Sequence, residues 1–86
     1  MSKSKRSRIE IYVDVLRTLR TYDGGCRITR LAYGSNMPLD RMRKTASDLM
    51  SHGLIGVTVE DPGIYFITAR GMEFLEAYKK LSMILE

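Results

Sequence analysis

Between residues 37 and 71 the hydrophobic period of this chain changes twice. Leu39, Met42, Ala46, Leu49 and Met50 recur at three- and four-residue intervals, which puts them on one face of a helix. Residues 54–60 and 64–68 are instead rich in β-branched and aromatic side chains, and Asp61-Pro62-Gly63 between them is turn chemistry. Gly53 supplies a left-handed stop between helix and hairpin. Thr68-Ala69-Arg70-Gly71 then reopens a helix, with the threonine oxygen available to cap its first amides. A helix, a hairpin and a capped helix packed into so short a run leave few architectures open.

Upstream, residues 8–22 read as a helix carrying Ile9, Tyr12, Val13, Leu16 and Leu19. Ile11, Val15 and Tyr22 add a second stripe, widening the apolar arc to about 200°. One small core rarely uses that much of a helix. The surplus is covered either by the hairpin and last helix or by a second subunit. Asp23-Gly24-Gly25 should end this helix by supplying its C-cap, and residues 26–28 form a short edge strand. Thr29 is the expected N-cap of a two-turn helix carrying Leu31, Ala32 and Tyr33 and closing at Gly34-Ser35-Asn36. Pro38 is acceptable where the next helix starts, because its missing N–H falls in the first turn. Two short helices, a tight connection and a hairpin give the order α-β-α-α-β-β-α: a mainly α fold with a small β hairpin, a winged helix-turn-helix.

The last helix, about 69–86, has Phe74, Leu75, Tyr78, Leu81 and Leu85 as its apolar stripe. Met72 and Met83 project onto its charged side, where one core cannot use them. At 1.5 Å per residue it reaches roughly 25 Å, so its far end should overhang the body as a dimerisation element.

With 86 residues the chain holds one domain (8–86) behind a basic arm (1–7) that carries Lys3, Lys5 and Arg6. A domain this small folds with little margin. The net charge of +4 suits a polyanionic partner. Cys26, the single cysteine, cannot form an internal disulfide and lacks neighbours for a zinc site, which fits a reducing cytoplasmic setting. No apolar run approaches the roughly 20 residues that span a bilayer, so neither a secretory signal nor a membrane anchor is expected. An enzyme is not expected either. His52 is the only histidine, nothing in the pattern brings it to Cys26, and a nucleophile needs its base within hydrogen-bond reach. Gly24-Gly25 lacks the context of a phosphate loop. No metal, cofactor or small-molecule ligand is inferred.

Helix 38–52 is therefore the expected recognition helix for double-stranded DNA. Its Arg41, Arg43, Lys44, Thr45 and Ser47 would contact phosphates or base edges, with Arg27, Arg30 and the basic arm near phosphates. Two features compete with that reading. Asp40, Lys44 and Asp48 are four residues apart and could hold Lys44 in surface ion pairs. Glu60 and Asp61 make the wing tip acidic, so it should cover core rather than grip DNA. The alternatives are a winged helix used as a protein-interaction module and a chromatin protein without sequence preference.

The runs EIYVDVLRTL, CRITRLAYGSNMPLDRMRKTASDLMSHGLI and YFITARGMEFLEAYKKL resemble archaeal winged-helix proteins, the group that includes the Sulfolobus coiled-coil DNA-binding protein and archaellum regulators. The resemblance covers nearly all of the chain after the arm. It rests on a helix, a T-R-x-x-Y helix, a recognition helix ending in Gly-Leu, a wing and a T-x-x-G-x-x-F-L helix. It implies a homodimer held through the last helix, binding duplex DNA as a transcriptional regulator or an architectural protein. Pro38 and Gly34 depart from the pattern of the relatives. The last helix stops at Glu86, which leaves a curtailed coiled coil. The expected interface therefore draws on Ile11 and Val15 as well as Phe74, Tyr78, Leu81 and Leu85.

Overall fold

The computed structural model describes residues 6–86. The elements run α1 (Arg8–Arg20), β1 (Cys26–Arg27), α2 (Ile28–Gly34), α3 (Leu39–Ser51), β2 (Ile55–Val57), β3 (Ile64–Ile67) and α4 (Ala69–Leu85). This is the winged helix-turn-helix order that the periodicity predicts.

The centre of the molecule is α1, whose Tyr12, Val13, Val15, Leu16 and Leu19 are all buried. It starts in a capping box: Ser7 Oγ accepts from Glu10 N–H, and the Glu10 carboxylate accepts from Ser7 N–H. Leu31 of α2, Met42 and Leu49 of α3, Ile55 of β2 and Leu75 of α4 close around it. The wide apolar arc of α1 is thus mostly consumed inside one chain. Val15, expected at a subunit interface, is 0% exposed and is corrected to core, because the sheet and α4 cover its stripe.

Three other local expectations change. Thr21, not a glycine, is the C-cap of α1, and the Thr21 and Tyr22 amides donate to the Thr18 and Leu19 carbonyls. Gly24 and Gly25 follow in the turn that leads into β1. Thr29 lies inside α2, since the helix begins at Ile28 behind an extended Arg27 that makes no side-chain cap. Leu39 and Met50, expected in the buried stripe of α3, are 36% and 41% exposed. Met42, Ala46 and Leu49, buried on the helix that packs against α2 and β2, carry the packing.

The sheet order is β1-β3-β2, all antiparallel, with Cys26 opposite Tyr65 and Val57 opposite Tyr65 on the other edge. β3 is therefore the central strand, and the small β1 ties the helix-turn-helix to the hairpin. Gly53 stops α3 at φ +74°. One residue later Leu54 is buried, and its carbonyl accepts from Thr68 N–H. Thr68 Oγ1 caps Gly71 N–H and donates to the Gly53 carbonyl. A Cβ on Gly71 would meet the Leu54 carbonyl oxygen at 2.3 Å. The Thr68–Gly71 pair is therefore the joint that sets α4 hard against the end of α3. Among the described residues no helix is long and apolar enough to cross a membrane.

Candidate nucleic-acid interface

The outward face of α3 is built by its phase. Once Met42, Ala46 and Leu49 turn inward, Asp40, Arg41, Arg43, Lys44, Ser47 and Asp48 must face solvent, and all six are exposed. Thr45 is half-buried at the edge, with its hydroxyl directed at Met37 Sδ, 3.8 Å away.

The anticipated ion pairs along α3 do not form. Among the described residues the salt bridges are Arg6–Asp14 and Arg27–Asp61. Lys44 is thus not within ion-pair distance of Asp40 or Asp48. It shares a shallow cleft of about 290 Å³ with Arg8, Ile11, Tyr12, Arg41, Thr45 and Asp48. Arg8 is the addition that sequence reading missed. It precedes Ile11 and Tyr12 by three and four residues, so it lies on the α1 face that meets α3. That spacing was visible in the sequence; the α1–α3 contact that gives it meaning was not.

The other predicted cations are differently placed. Arg27 binds both carboxylate oxygens of Asp61, and Gly63 N–H also donates to that carboxylate. The Arg27 hydrogen bonds, followed by the one from Gly63, hold the Asp61 carboxyl below its ordinary range. Asp61 N–H further donates to Thr58 Oγ1, whose hydroxyl donates back to the Asp61 carbonyl. The wing tip is therefore a closed turn latched to β1, and it presents Val59, Glu60 and Pro62 outward. Arg30 on α2 is exposed, with its guanidinium carbon 5.9 Å from the Tyr22 ring centroid.

Of the arm residues, Lys3 and Lys5 lie outside the described residues. Arg6 is corrected from arm to scaffold. Its guanidinium donates to Asp14 at 2.8 Å, to the Ser35 carbonyl at 3.0 Å and to the Asn36 carbonyl at 3.3 Å. Those carbonyls end α2, so Arg6 pins the start of α1 to the turn before α3. Ser7 likewise belongs to the α1 cap.

Of the residues expected at a subunit interface, Ile11 is half-buried and lines the α3 cleft, and Phe74 and Tyr78 are half-buried against the core, while Leu81 and Leu85, with Ile84 beside them, are 56%, 78% and 77% exposed. Arg17 lies 5.9 Å from the Tyr78 ring centroid, marking where α4 leaves the body. Cys26 is buried in β1, and desolvation pushes its thiol pKa up although Arg30 opposes the shift. A buried, protonated thiol is a poor nucleophile. Among the described residues no group of three or more His, Cys, Asp or Glu could hold a metal ion.

Comparison with known proteins agrees with this geometry. The profile of the winged helix-turn-helix family matches residues 5–86. The structure is similar to the crystal structure of Sso10a-2, a DNA-binding protein from Sulfolobus solfataricus. The match has a TM-score of 0.76 and 28% sequence identity, and it covers 92% of this chain and 81% of that one. A comparison with curated protein sequences gives no match.

Proposed function

Because the chain belongs to the winged helix-turn-helix family, we propose that it binds double-stranded DNA as a homodimeric transcriptional regulator, with α3 in the major groove. The observation that carries this reading is the convergence of Arg8, Arg41 and Lys44 on one cleft beside the outer face of α3, none of them within ion-pair distance of an acid among the described residues. Guanidinium and ammonium groups held in no ion pair, beside a helix that fits a major groove, are available for phosphate contact, although Asp48 lines the same cleft. Arg43 and Ser47 lie on the same outward surface and can reach base edges or the far strand. Arg30 approaches the backbone from α2, and Lys3 and Lys5 add phosphate contacts from the arm. Arg27 contributes only by exchanging Asp61 for a phosphate.

Dimerisation is supported by α4. Phe74, Tyr78, Leu81 and Leu85 follow a four-three-four spacing, the seam of a coiled coil. The first pair packs on the body and the second pair is exposed. A second copy that covers Leu81 and Leu85 would remove apolar surface from water and bring two α3 helices to one duplex, where the two-fold symmetry of the protein meets two half-sites.

The experiment is a salt-series titration of the protein against a labelled duplex, repeated with Arg41 and Lys44 both replaced by alanine. Each phosphate contact contributes about 0.9 to the slope of log K against log salt, so the double variant should lose about 1.8 per bound protomer. An unchanged slope would move the contact surface away from α3.

A further inference from the structure

The outer face of α3 carries two acids without an ion pair among the described residues, Asp40 and Asp48, and of these Asp40 stands in the first turn, where a carboxylate also favours the helix N-terminus. Asp40 is the second residue of the helix and is exposed. One carboxylate oxygen accepts from the Arg41 backbone N–H at 2.9 Å. Among the described residues the carboxylate has no salt bridge, although Arg41, Arg43 and Lys44 lie within the four residues that follow it. A protein that gripped only phosphates would be weakened by a carboxylate there, since like charges in proximity repel.

From these observations we infer that Asp40 is a specificity-determining residue that accepts a hydrogen bond from the exocyclic amine of a cytosine in the major groove. The inference rests on the DNA-binding reading above. The choice of base follows from the donor and acceptor pattern of each edge. Guanine offers N7 and O6 and thymine offers O4, all acceptors that repel a carboxylate. Adenine places its N7 acceptor beside the N6 amine, so one favourable contact comes with one unfavourable. Cytosine presents the N4 amine alone. The N-terminal end of a recognition helix is the part that meets base edges, and Asp40 occupies that end. The carboxylate thus serves selectivity: it penalises most sequences and is compensated on one. A chain so equipped discriminates among sequences, which separates a regulator from a sequence-indifferent architectural protein.

The test is selection from a pool of randomised duplexes by the full chain and by its Asp40→Ala and Asp40→Asn variants. The asparagine keeps an acceptor for the Arg41 amide, so folding is preserved and only the charge and the reading change. The wild type should enrich a cytosine at one position of each half-site. Asp40→Ala should lose that preference while binding unselected duplex about threefold tighter, because a repulsive charge is gone. Asp40→Asn should shift the position towards adenine, which asparagine reads through N6 and N7. Changing the selected cytosine should weaken the wild type about tenfold and leave Asp40→Ala unaffected. If all three proteins select the same sequence, or if the wild type binds duplexes with a salt slope but selects none, the assignment of Asp40 is wrong and the DNA reading stands. If the wild type binds no duplex, both fall.

Discussion

Replacing Gly71 with alanine sets two physical effects against each other with opposite signs. Glycine within a helix costs about 1 kcal/mol relative to alanine, so propensity alone makes the variant more stable. The added Cβ, however, would stand 2.3 Å from the Leu54 carbonyl oxygen and 2.7 Å from Ile67 Cγ1. The first neighbour is backbone and cannot rotate away. Either α4 or the start of β2 must move by about an ångström, which strains the Thr68 N–H bond to that same carbonyl and the Thr68 cap on Gly71. Overpacking of this kind costs about 1–3 kcal/mol, and a lost cap adds about 1 kcal/mol. After the propensity gain, the net destabilisation is about 1–3 kcal/mol. With an unfolding entropy of about 2.1 cal/mol/K per residue, the 86-residue chain should melt roughly 6–17 °C lower. Thermal unfolding followed by circular dichroism at fixed protein concentration measures this. A melting point equal to or above that of the wild type would refute the argument that α4 is seated by backbone contact at Leu54.

Further outcomes follow from the same geometry. Arg8→Ala should lower the salt slope of DNA binding by about 0.9, whereas Arg6→Ala should lower the melting temperature and leave the slope nearly unchanged, because its guanidinium is spent on Asp14 and the Ser35 and Asn36 carbonyls. The depressed Asp61 pKa means that its ionised form stabilises the fold above the unfolded carboxyl value of about 3.9, and that this contribution is lost as pH falls through the lower folded value. Asp61→Asn should flatten that acid limb in melting curves recorded between about pH 2 and 5, and an unaltered limb would remove the latch from the account. Leu81→Glu places a charge on the exposed seam of α4 and should shift sedimentation towards monomer without unfolding the chain; a wild type that sediments as a monomer would overturn the dimer.

Most of the fold was legible because the local signals agree with one another. Thr68, Gly71, Phe74 and Leu75 illustrate this: cap, close approach and core contact each demand that residue type, and all four serve one joint. The Asp61-Pro62-Gly63 turn was legible for the same reason, although the strands beside it are shorter than their β-branched runs imply. What the sequence hid depends on distance along the chain. Val15 resembles an interface residue until the sheet and α4 cover it. Arg6 belongs to a polar arm until two carbonyls 29 and 30 residues away accept from it. Arg8 joins Arg41 and Lys44 only because the start of α1 lines the same cleft as α3, and the charge repeat of Asp40, Lys44 and Asp48 suggested pairs that the side chains do not make.

The central claim is that the α3 face, extended by Arg8, meets duplex DNA. Amide chemical-shift mapping of the labelled protein during titration with a short duplex tests it directly. The predicted shifts and line broadening concentrate at Arg8, Asp40–Ser47 and the adjoining residues of α2, while Glu60 at the wing tip and the last turns of α4 stay unperturbed by DNA. Perturbation confined to the wing tip or to Leu81–Leu85, with α3 silent, would contradict the account.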